Sequence, residues 1–313
     1  MTMQFRRFIF WIFVVLFIVA SVIIILFAQG WRFDLDTFKL VKTGGIFIKT
    51  TISGAKIYIN DKYTGSTAGL LNYTKLVDDL APKNYNLFIH KEGYYPWNKM
   101  VEVKNGLVTE LFSVTLFSLD IKKVKIAQLP AQKIADFEVN DETIRIINNK
   151  KIGTAEIYDF DGQLISNEKF KISTSTELIS PDKNKKLYAA SNKIWIEYLN
   201  DINEEPLKKA EEKEIIAISE SPILFLNWLK DSEHVIWFTS GELTVAERDN
   251  RGGKRNSVKF YLNINPPIFW DIKNSDLYFF ENSKSRRLDG TSTVGIPTEA
   301  SGEKSILYKI NIE

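Results

Sequence analysis

The sequence predicts an all-β ectodomain that follows a single transmembrane helix at the N-terminus. Three observations lead to this prediction: an apolar run near the start of the chain, short alternating segments in residues 45–117, and a loose repeat in residues 118–313. The 313 residues allow about two folded domains, and 44% apolar with 26% charged side chains is typical of globular proteins. This balance excludes wholesale disorder.

Composition also excludes several classes of function. Lys plus Arg (41) nearly equals Asp plus Glu (39), so the net charge of +2 provides no chain-wide field that would hold nucleic acid. The absence of cysteine excludes disulfides, thiolate nucleophiles, cysteine-ligated metals and a lipidated cysteine.

Little in the sequence points to catalysis. Only two histidines, His90 and His234, are present, and the motifs of serine hydrolases, zinc proteases and dinucleotide-binding proteins are missing. We therefore expect no enzyme activity, no catalytic residue, no cofactor and no metal site. A hydrolase with two acidic side chains that converge in space is the alternative.

Residues 8–28 form the apolar run FIFWIFVVLFIVASVIIILFA, in which Ser21 is the one polar side chain. A helix from Phe8 to Ala28 would be about 31 Å long, which matches the roughly 30 Å hydrocarbon core of a bilayer. A cleaved signal peptide is the alternative, but its apolar region usually has about 7 to 15 residues and ends in small side chains, whereas Leu26 and Phe27 are large. We predict that residues 1–30 are a cytoplasmic tip and an uncleaved signal anchor, with the lipid bilayer as partner.

Charged residues on either side of this run indicate its orientation. Arg6 and Arg7 precede it, and Asp34 and Asp36 follow it. This asymmetry favours a single-pass protein of the cell membrane with a cytoplasmic N-terminus and extracytoplasmic C-terminal domains. Residues 31–44 show no strong periodic pattern and are predicted to be a juxtamembrane stalk.

Short strands with turn residues between them fill residues 45–117. Alternation places Ala55, Ile57 and Ile59 on one strand face, and residues 60–61 (Asn-Asp) then turn the chain into a hairpin. Residues 84–90 alternate in the same way. Five or six strands in about 70 residues predict an antiparallel β-sandwich.

The turn and core residues of this segment resemble the PEGA domain, a short β-sandwich of surface-associated proteins in bacteria and archaea. The matching positions are Gly54-Ala55, Lys56 to Ile59, Asn60-Asp61, Gly65, Leu80, Tyr85 to Ile89, Gly93-Tyr94 and Val108 to Leu116. Ile52-Ser53 replaces the Pro-Glu pair that names the family. The resemblance implies an extracytoplasmic adhesive or scaffolding module and brings no catalytic residue.

Residues 118–313 contain polar turns between apolar strands, spaced 41 to 49 residues apart. These turns are centred on Asp141, Asp182, Asp231 and Asn274. A period near 40 to 50 residues with three or four strands per unit predicts a β-propeller-like domain of about four units. Ser180-Pro181-Asp182 resembles a TolB-type propeller repeat. Four units allow a four- or five-bladed ring, an open fragment, or a ring completed by another chain.

Two polar stretches interrupt this pattern. Residues 204–214 are predicted to be a charged, solvated connection with one or two helical turns. Residues 283–305 are rich in Gly, Ser and Thr and are predicted to be a long exposed loop within the last unit.

Two clusters are candidates for ligand binding. Tyr94, Tyr95 and Trp97 could form an exposed aromatic platform that stacks on the sugar rings of a cell-wall glycan, and the alternative is that they pack inside the protein. Arg248, Arg251, Lys254 and Arg255 concentrate positive charge near one hairpin, where they could contact acidic lipid headgroups or wall polymers. The alternative for this basic cluster is an ordinary solvated loop.

We expect a membrane-anchored cell-envelope protein with a non-catalytic binding or scaffolding role at the cell surface. Its ligand would be a glycan, a wall polymer or an envelope protein. The alternative is an extracytoplasmic sensor, or an accessory subunit of an envelope protein complex that acts through the propeller face.

Overall fold

The computed structural model describes residues 3–34, 38–67, 73–130, 132, 134–150, 153–170, 177–262, 264–283 and 304–312. The chain divides into two compact units. Unit 1 comprises Met1–Glu92, Pro96–Leu116 and Arg251–Lys254, and unit 2 comprises Gly93–Tyr95, Phe117–Asn250 and Arg255–Glu313. Strands make up about half of the described residues, and the one long helix among them is near the N-terminus.

Helix α1 extends over Met3–Ala28. Its stretch Gln4–Ala28 is long and apolar enough to cross a membrane, and none of its most apolar part is buried inside the structure. The large side chains of Phe8, Trp11 and Phe17 are all more than 60% exposed. A contiguous apolar surface of this kind is typical of segments that contact lipid or another protein, because apolar side chains are stabilised where water is excluded.

A two-stranded antiparallel hairpin follows the helix, and this differs from the stalk that we expected for residues 31–44. Strand β1 (Trp31–Asp34) pairs with strand β2 (Lys39–Lys42), with Phe33 opposite Leu40. The sequence pattern was too short to reveal it, since each strand contributes only four residues and local alternation is a weak signal at that length.

Two sheets form the rest of unit 1. The first sheet has the order β6-β3-β9 and the second β5-β4-β7-β8. The strands are β3 (Gly44–Thr50), β4 (Lys56–Ile59), β5 (Lys62–Ser66), β6 (Thr74–Leu80), β7 (Asn84–His90), β8 (Trp97–Glu102) and β9 (Val108–Val114).

The predicted alternation determines which face of each strand is buried. Ala55, Ile57 and Ile59 are at most 5% exposed, and Leu87 and Ile89 on the neighbouring strand β7 are fully buried. Asn60 and Asp61 both have positive φ angles, 47° and 64°, as a tight hairpin turn requires. The structure therefore confirms the predicted sandwich core.

One strand pair departs from the antiparallel prediction. Strands β3 and β9 are parallel, with Ile48 opposite Leu111, while all other pairs of unit 1 described in the structure are antiparallel. Parallel neighbours need a long connection. The chain supplies one, because it passes through both sheets between β3 and β9.

Unit 2 contains four sheets of four strands each, and we number them as blades one to four. Blade one is β11 (Asp136–Val139), β12 (Ile144–Asn149), β13 (Thr154–Tyr158) and β14 (Leu164–Lys169). Blade two is β15 (Leu178–Ile179), β16 (Lys185–Ala190), β17 (Lys193–Tyr198) and β18 (Lys213–Ile218). Blade three is β19 (Phe225–Trp228), β20 (His234–Phe238), β21 (Glu242–Glu247) and β22 (Ser257–Tyr261).

Blade four joins the two ends of this unit in one sheet. Its order is β23-β24-β25-β10, in which β10 (Lys123–Pro130) comes from the start of the unit and β23 (Ile268–Asp271), β24 (Asp276–Ser283) and β25 (Lys304–Asn311) come from its end. Strand β10 pairs with β25 in antiparallel register. Four meandering sheets, one of them shared between the first and last strands, confirm the propeller-like architecture.

Hydrogen bonds from tryptophan indoles connect the first strands of neighbouring blades. The Nε1 atom of Trp270 in β23 donates to the carbonyl oxygen of Trp228 in β19 at 2.9 Å. Nε1 of Trp228 in turn donates to the carbonyl oxygen of Leu178 in β15 at 3.0 Å. Between blades one and four, the rings of Phe137 and Phe280 meet edge to face, with centroids 4.8 Å apart. Trp228 is fully buried, and Trp270 is 6% exposed.

The two interrupting stretches have different outcomes. Residues 204–214 contain no helix, which corrects the prediction. Ile202 and Lys208 instead form an isolated β-bridge, and Lys213 and Glu214 belong to strand β18. Most of residues 283–305 lies outside the described residues.

We predict that Gly162→Ala destabilises unit 2 more than Gly241→Ala. Both glycines have positive φ, +83° and +86°, so each alanine incurs backbone strain of about 1 to 2 kcal/mol. A Cβ atom at position 162 would also lie 2.3 Å from the backbone oxygen of Gln128, whereas position 241 has no neighbour closer than 3.9 Å. Displacing that backbone adds about 1 to 3 kcal/mol. Chemical unfolding of the full chain in detergent measures the difference, and equal losses would contradict the close approach.

Candidate functional site

The three aromatic candidates do not form an exposed platform. Trp97 begins strand β8 and is only 3% exposed, on the same buried face as Val101. Tyr95 belongs to unit 2, where its ring meets that of Phe260 edge to face at 5.6 Å and packs against the hydrophobic core. Tyr94 is half-buried and pairs with Ser118 in an isolated β-bridge. Packing inside the protein, the alternative reading, describes Tyr95 and Trp97.

The basic cluster is likewise not a free patch. Arg248 is 3% exposed, and its Nε atom donates to Glu233 Oε2 at 2.7 Å. Arg255 donates to Glu214 Oε2 at 3.3 Å. In unit 1, Arg251 donates to the backbone oxygen of Glu110 at 2.9 Å, and Lys254 is exposed. Two of the four charges are therefore neutralised by glutamates within unit 2, which corrects the prediction of a headgroup contact through the whole cluster.

The polar turns that revealed the repeat place polar side chains at one equivalent position in three blades. In each turn one residue has a positive φ near 60°. In the first two turns the backbone N–H of this residue donates to the carbonyl oxygen three residues earlier, from Lys183 to Ser180 and from Ser232 to Leu229. The residues of positive φ are Lys183, Ser232 and Ser275. The second strand then begins with a buried polar residue: Lys185, His234 and Asp276. The composition of the strands gave no signal for these three positions.

Lys185 is the centre of a charged network between blades two and three. Its Nζ atom lies 2.7 Å from Asp182 Oδ2 and 3.0 Å from Glu233 Oε1, and its side chain is 1% exposed. Glu233 also binds Arg248, so one carboxylate serves two buried cations. Burial raises the pKa of Asp182, but hydrogen bonds from Lys185 and Ser180 outweigh it and leave that pKa lowered. The network fixes charged side chains that would otherwise be costly to bury.

The network continues along the outer strands of blade two. The hydroxyl of Tyr198 donates to Glu214 Oε1 at 2.5 Å, and Lys208 Nζ lies 3.1 Å from Glu214 Oε2. Burial raises the pKa of Tyr198 well above its ordinary value. Glu214 and Lys208 therefore have structural roles, whereas residues 204, 205, 207 and 209–213 are exposed, as predicted for a solvated connection.

His234 forms a buried pair with Asp231. Its Nδ1 atom lies 2.6 Å from Asp231 Oδ2, and the histidine is 2% exposed. Burial lowers the pKa of His234, but the charge and hydrogen bond of Asp231 outweigh it, so that pKa is raised. Burial raises the pKa of Asp231, but the charge and hydrogen bond of His234 outweigh burial and leave that pKa lowered. Within the described residues, no group of three or more His, Asp or Glu side chains could hold a metal ion.

A pocket of about 690 Å³ lies in unit 2 between blades one and four. We call it the polar pocket. Two of the sequence-detected turns contribute to it, through Asp141 and through Asp271. Its other lining residues are Ile126, Val139, Asn140, Phe160, Asn274, Asp276, Tyr278, Lys309 and Asn311.

Hydrogen bonds hold the charged groups of the polar pocket in place. Asp276 accepts from Lys309 Nζ at 2.9 Å and from Asn311 Nδ2 at 2.8 Å, and Asp271 accepts from Asn274 Nδ2 at 2.7 Å. The hydrogen bond to Asp276 raises the pKa of Lys309. The lysine is therefore a cation, and Asp276 is held by donors on both oxygens.

Tyr278 lies among these groups. Burial raises the pKa of its phenol; Lys309 lowers it, and the carboxylates of Asp276 and Asp271 raise it further. The phenol is therefore neutral and can donate a hydrogen bond. Asp141, Asp271 and Asp276 face one ammonium, so the described lining carries excess negative charge.

Residues 43–116 match the family model of the PEGA domain. They are a PEGA domain. The match confirms the resemblance, with boundaries within two residues of the predicted segment 45–117 and with the first sheet and second sheet of unit 1 inside it. No curated protein has a sequence that matches this chain.

Solved structures similar to this chain include Hsv2 of Kluyveromyces lactis, with 14% identity, a TM-score of 0.24, and coverage of 65% of this chain and 66% of that one. Hydrazine synthase of Kuenenia stuttgartiensis has 12% identity and a TM-score of 0.23 over 66% of this chain and 55% of that one. The tricorn protease has 13% identity and a TM-score of 0.25 over 71% of this chain and 27% of that one. The chain thus spans less than two thirds of the lengths of the latter two proteins. The propeller-like fold rests on the four sheets of unit 2.

We predict that Glu233→Gln lowers the free energy of unfolding of unit 2 by about 3 kcal/mol, because it leaves Lys185 and Arg248 buried without their shared carboxylate. Glu204→Gln, on an exposed side chain, is the matched control and should change it by less than about 0.5 kcal/mol. Urea unfolding of the full chain in detergent measures both. Equal effects would show that the network contributes nothing to stability.

The pair His234 and Asp231 should make stability depend on pH. The contribution of His234, whose folded pKa is raised, is fully present below its unfolded pKa of about 6.5 and is lost as pH rises through the folded value. The contribution of Asp231 to stability has the opposite pH dependence, because its folded pKa is lowered. It is present above the unfolded pKa of about 3.9 and is lost as the pH falls through the folded value. The pair therefore stabilises most between these two limits.

His234→Gln removes the titrating group and keeps a hydrogen-bond donor. We expect the unfolding free energy of the native chain to fall as the pH rises above about 6.5, and that of the variant to be flatter over the same range. Urea unfolding at a series of pH values tests this. Parallel curves for the two proteins would refute the assignment.

Proposed function

We propose that this protein is a single-pass, membrane-anchored protein of the cell envelope that binds a cell-surface glycan in the polar pocket of its propeller-like unit, without catalysing a reaction. Its N-terminus is cytoplasmic and its two β units are extracytoplasmic. The observation that carries the proposal is the polar pocket itself, in a chain that also has an apolar helix and a PEGA domain.

The helix supports the membrane anchor. Its large apolar side chains are exposed along its whole length, from Phe8 to Phe27. Its 26 residues correspond to about 39 Å at 1.5 Å per residue, enough for the hydrocarbon core of a bilayer with its ends at the interfaces. Arg6 and Arg7 within its first turns favour the cytoplasmic side for the N-terminus.

The chemistry of the polar pocket supports a glycan. Sugar hydroxyls donate to carboxylates and accept from amides, and Asp271 and Asn274 offer both side by side. Tyr278 and Phe160 add aromatic rings, which pack against the apolar faces of sugar rings. The excess of carboxylates disfavours strongly anionic polymers, so we propose a neutral or amino-sugar polymer.

Anchoring makes weak binding sufficient. A pocket attached to the membrane meets a polymer that is itself immobile at the cell surface, and repeated units of the polymer allow several anchored copies to bind at once. The role is then positioning of the envelope polymer relative to the membrane.

We predict that the full-length protein in detergent co-sediments with insoluble glycans of this class, such as chitin or peptidoglycan stripped of anionic polymers. Asp141→Asn and Tyr278→Phe each remove one polar contact with little change in shape. Each should weaken binding about 5- to 10-fold, as expected for one hydrogen bond. Asp120→Asn, an exposed carboxylate outside the pocket, should have no effect.

Two results would contradict the proposal. Binding that survives both pocket substitutions would place the glycan elsewhere. Absence of sedimentation with every glycan would exclude glycan binding and favour the alternative role, an accessory subunit that binds an envelope protein.

A further inference from the structure

The β1–β2 hairpin, which directly follows helix α1, has two chemically different faces. Cross-strand neighbours share a face, and successive residues alternate. Phe33 and Leu40 are opposite each other, and so are Trp31 and Lys42 two residues away, which places three apolar side chains on one face. The other face carries the pairs Arg32 with Val41 and Asp34 with Lys39.

The apolar face is exposed. Phe33 is 57%, Phe38 76% and Leu40 49% exposed. The rings of Phe33 and Phe38 touch edge to face, with centroids 6.3 Å apart, so they form one continuous apolar surface. Contiguous exposed apolar side chains of this kind mark surfaces that bind another apolar phase.

The opposite face is fixed to the end of the helix. Arg32 donates to the backbone oxygen of Phe27 at 2.7 Å, and its guanidinium lies 3.5 Å from the centroid of the Phe27 ring. At the same open end of the hairpin, the backbone N–H of Thr43 donates to the carbonyl oxygen of Gly30 at 2.8 Å. Only Gln29 and Gly30 separate helix from hairpin, so the hairpin lies within a few ångströms of the helix end.

That position determines what covers the apolar face. If α1 spans the bilayer, as proposed above, its end reaches the headgroup layer, which is about 5 to 7 Å thick on each side. Aromatic side chains are favoured at this depth, and exposed Lys39 and Lys42 can bind lipid phosphates there.

We infer that the hairpin is a second membrane contact, in which Phe33, Phe38 and Leu40 insert into the outer headgroup layer of the same bilayer that α1 crosses. The hairpin thereby holds the juxtamembrane end of unit 1 on the lipid surface. The inference rests on the proposed anchor.

The absence of native cysteine makes single-site labelling direct. Full-length variants Phe38→Cys, Leu40→Cys, Lys39→Cys and Phe17→Cys would each carry a nitroxide spin label in vesicles of phosphatidylcholine and phosphatidylglycerol. Electron paramagnetic resonance then measures collisions with oxygen, which concentrates in lipid, and with a polar nickel complex, which stays in water. Lys39 is the matched control, because it lies between the other two hairpin positions on the opposite face.

We expect labels at positions 38 and 40 to show an oxygen-to-nickel collision ratio at least about threefold above that at position 39, and position 17 to show the highest ratio. Ratios at 38 and 40 equal to that at 39, with position 17 in lipid, would overturn the hairpin contact and leave the anchor intact. Few collisions with either reagent at 38 and 40 would mean that protein covers the face, and would also overturn it. A label at position 17 in water would overturn the anchor itself.

Discussion

Unit 2 depends on two hydrogen bonds made by Trp228, one through its backbone and one through its indole. This residue accepts a hydrogen bond from the indole of the following blade and donates its own indole proton to the preceding one, at 2.9 and 3.0 Å. A buried indole N–H without a partner is costly, so these two bonds favour one relative position of three blades. The polar pocket lies between blades one and four, where residues as distant in sequence as Asp141 and Lys309 line it together. There the edge-to-face contact of Phe137 with Phe280 joins the two blades.

Much of the fold follows from local patterns, and the reasons are visible in particular residues. Alternation placed Ile57 and Leu87 in the core because a strand buries every second side chain. The same rule did not predict strand Trp31–Asp34, because its four residues are too few to show alternation and its partner strand is equally short. The parallel pairing of Gly44–Thr50 with Val108–Val114 and the return of Lys123–Pro130 to the last blade are choices among distant partners, and local patterns do not encode them. The candidate site shows the same division. The polar turns and the possible burial of Trp97 were recognised from the sequence, but not that Asp141 and Asp271 line one pocket, nor that Arg248 is buried.

The charged side chains of unit 2 have two distinct uses. Between blades two and three, the carboxylate of Glu233 forms ion pairs with both Lys185 and Arg248, so these charges have a structural role. Between blades one and four, the carboxylates outnumber the single ammonium, and the space beside them is open. A nearly neutral chain can therefore combine a charged junction whose groups neutralise one another with an open pocket that carries excess negative charge, and the net charge reveals neither.

The shared sheet of blade four imposes an order on folding. Strand Lys123–Pro130 is made early, yet its partner Lys304–Asn311 emerges about 180 residues later, so this pairing has the highest sequence separation in the unit. A chain that folds in the order in which it is made would expose the unpaired edge of the early strand until its partner appears. Pro130 at the end of that strand, and Lys123 and Lys125 along it, are the residue types that discourage pairing with foreign strands. Blade four, which contains the first strand of the unit, is therefore the last sheet that can be completed.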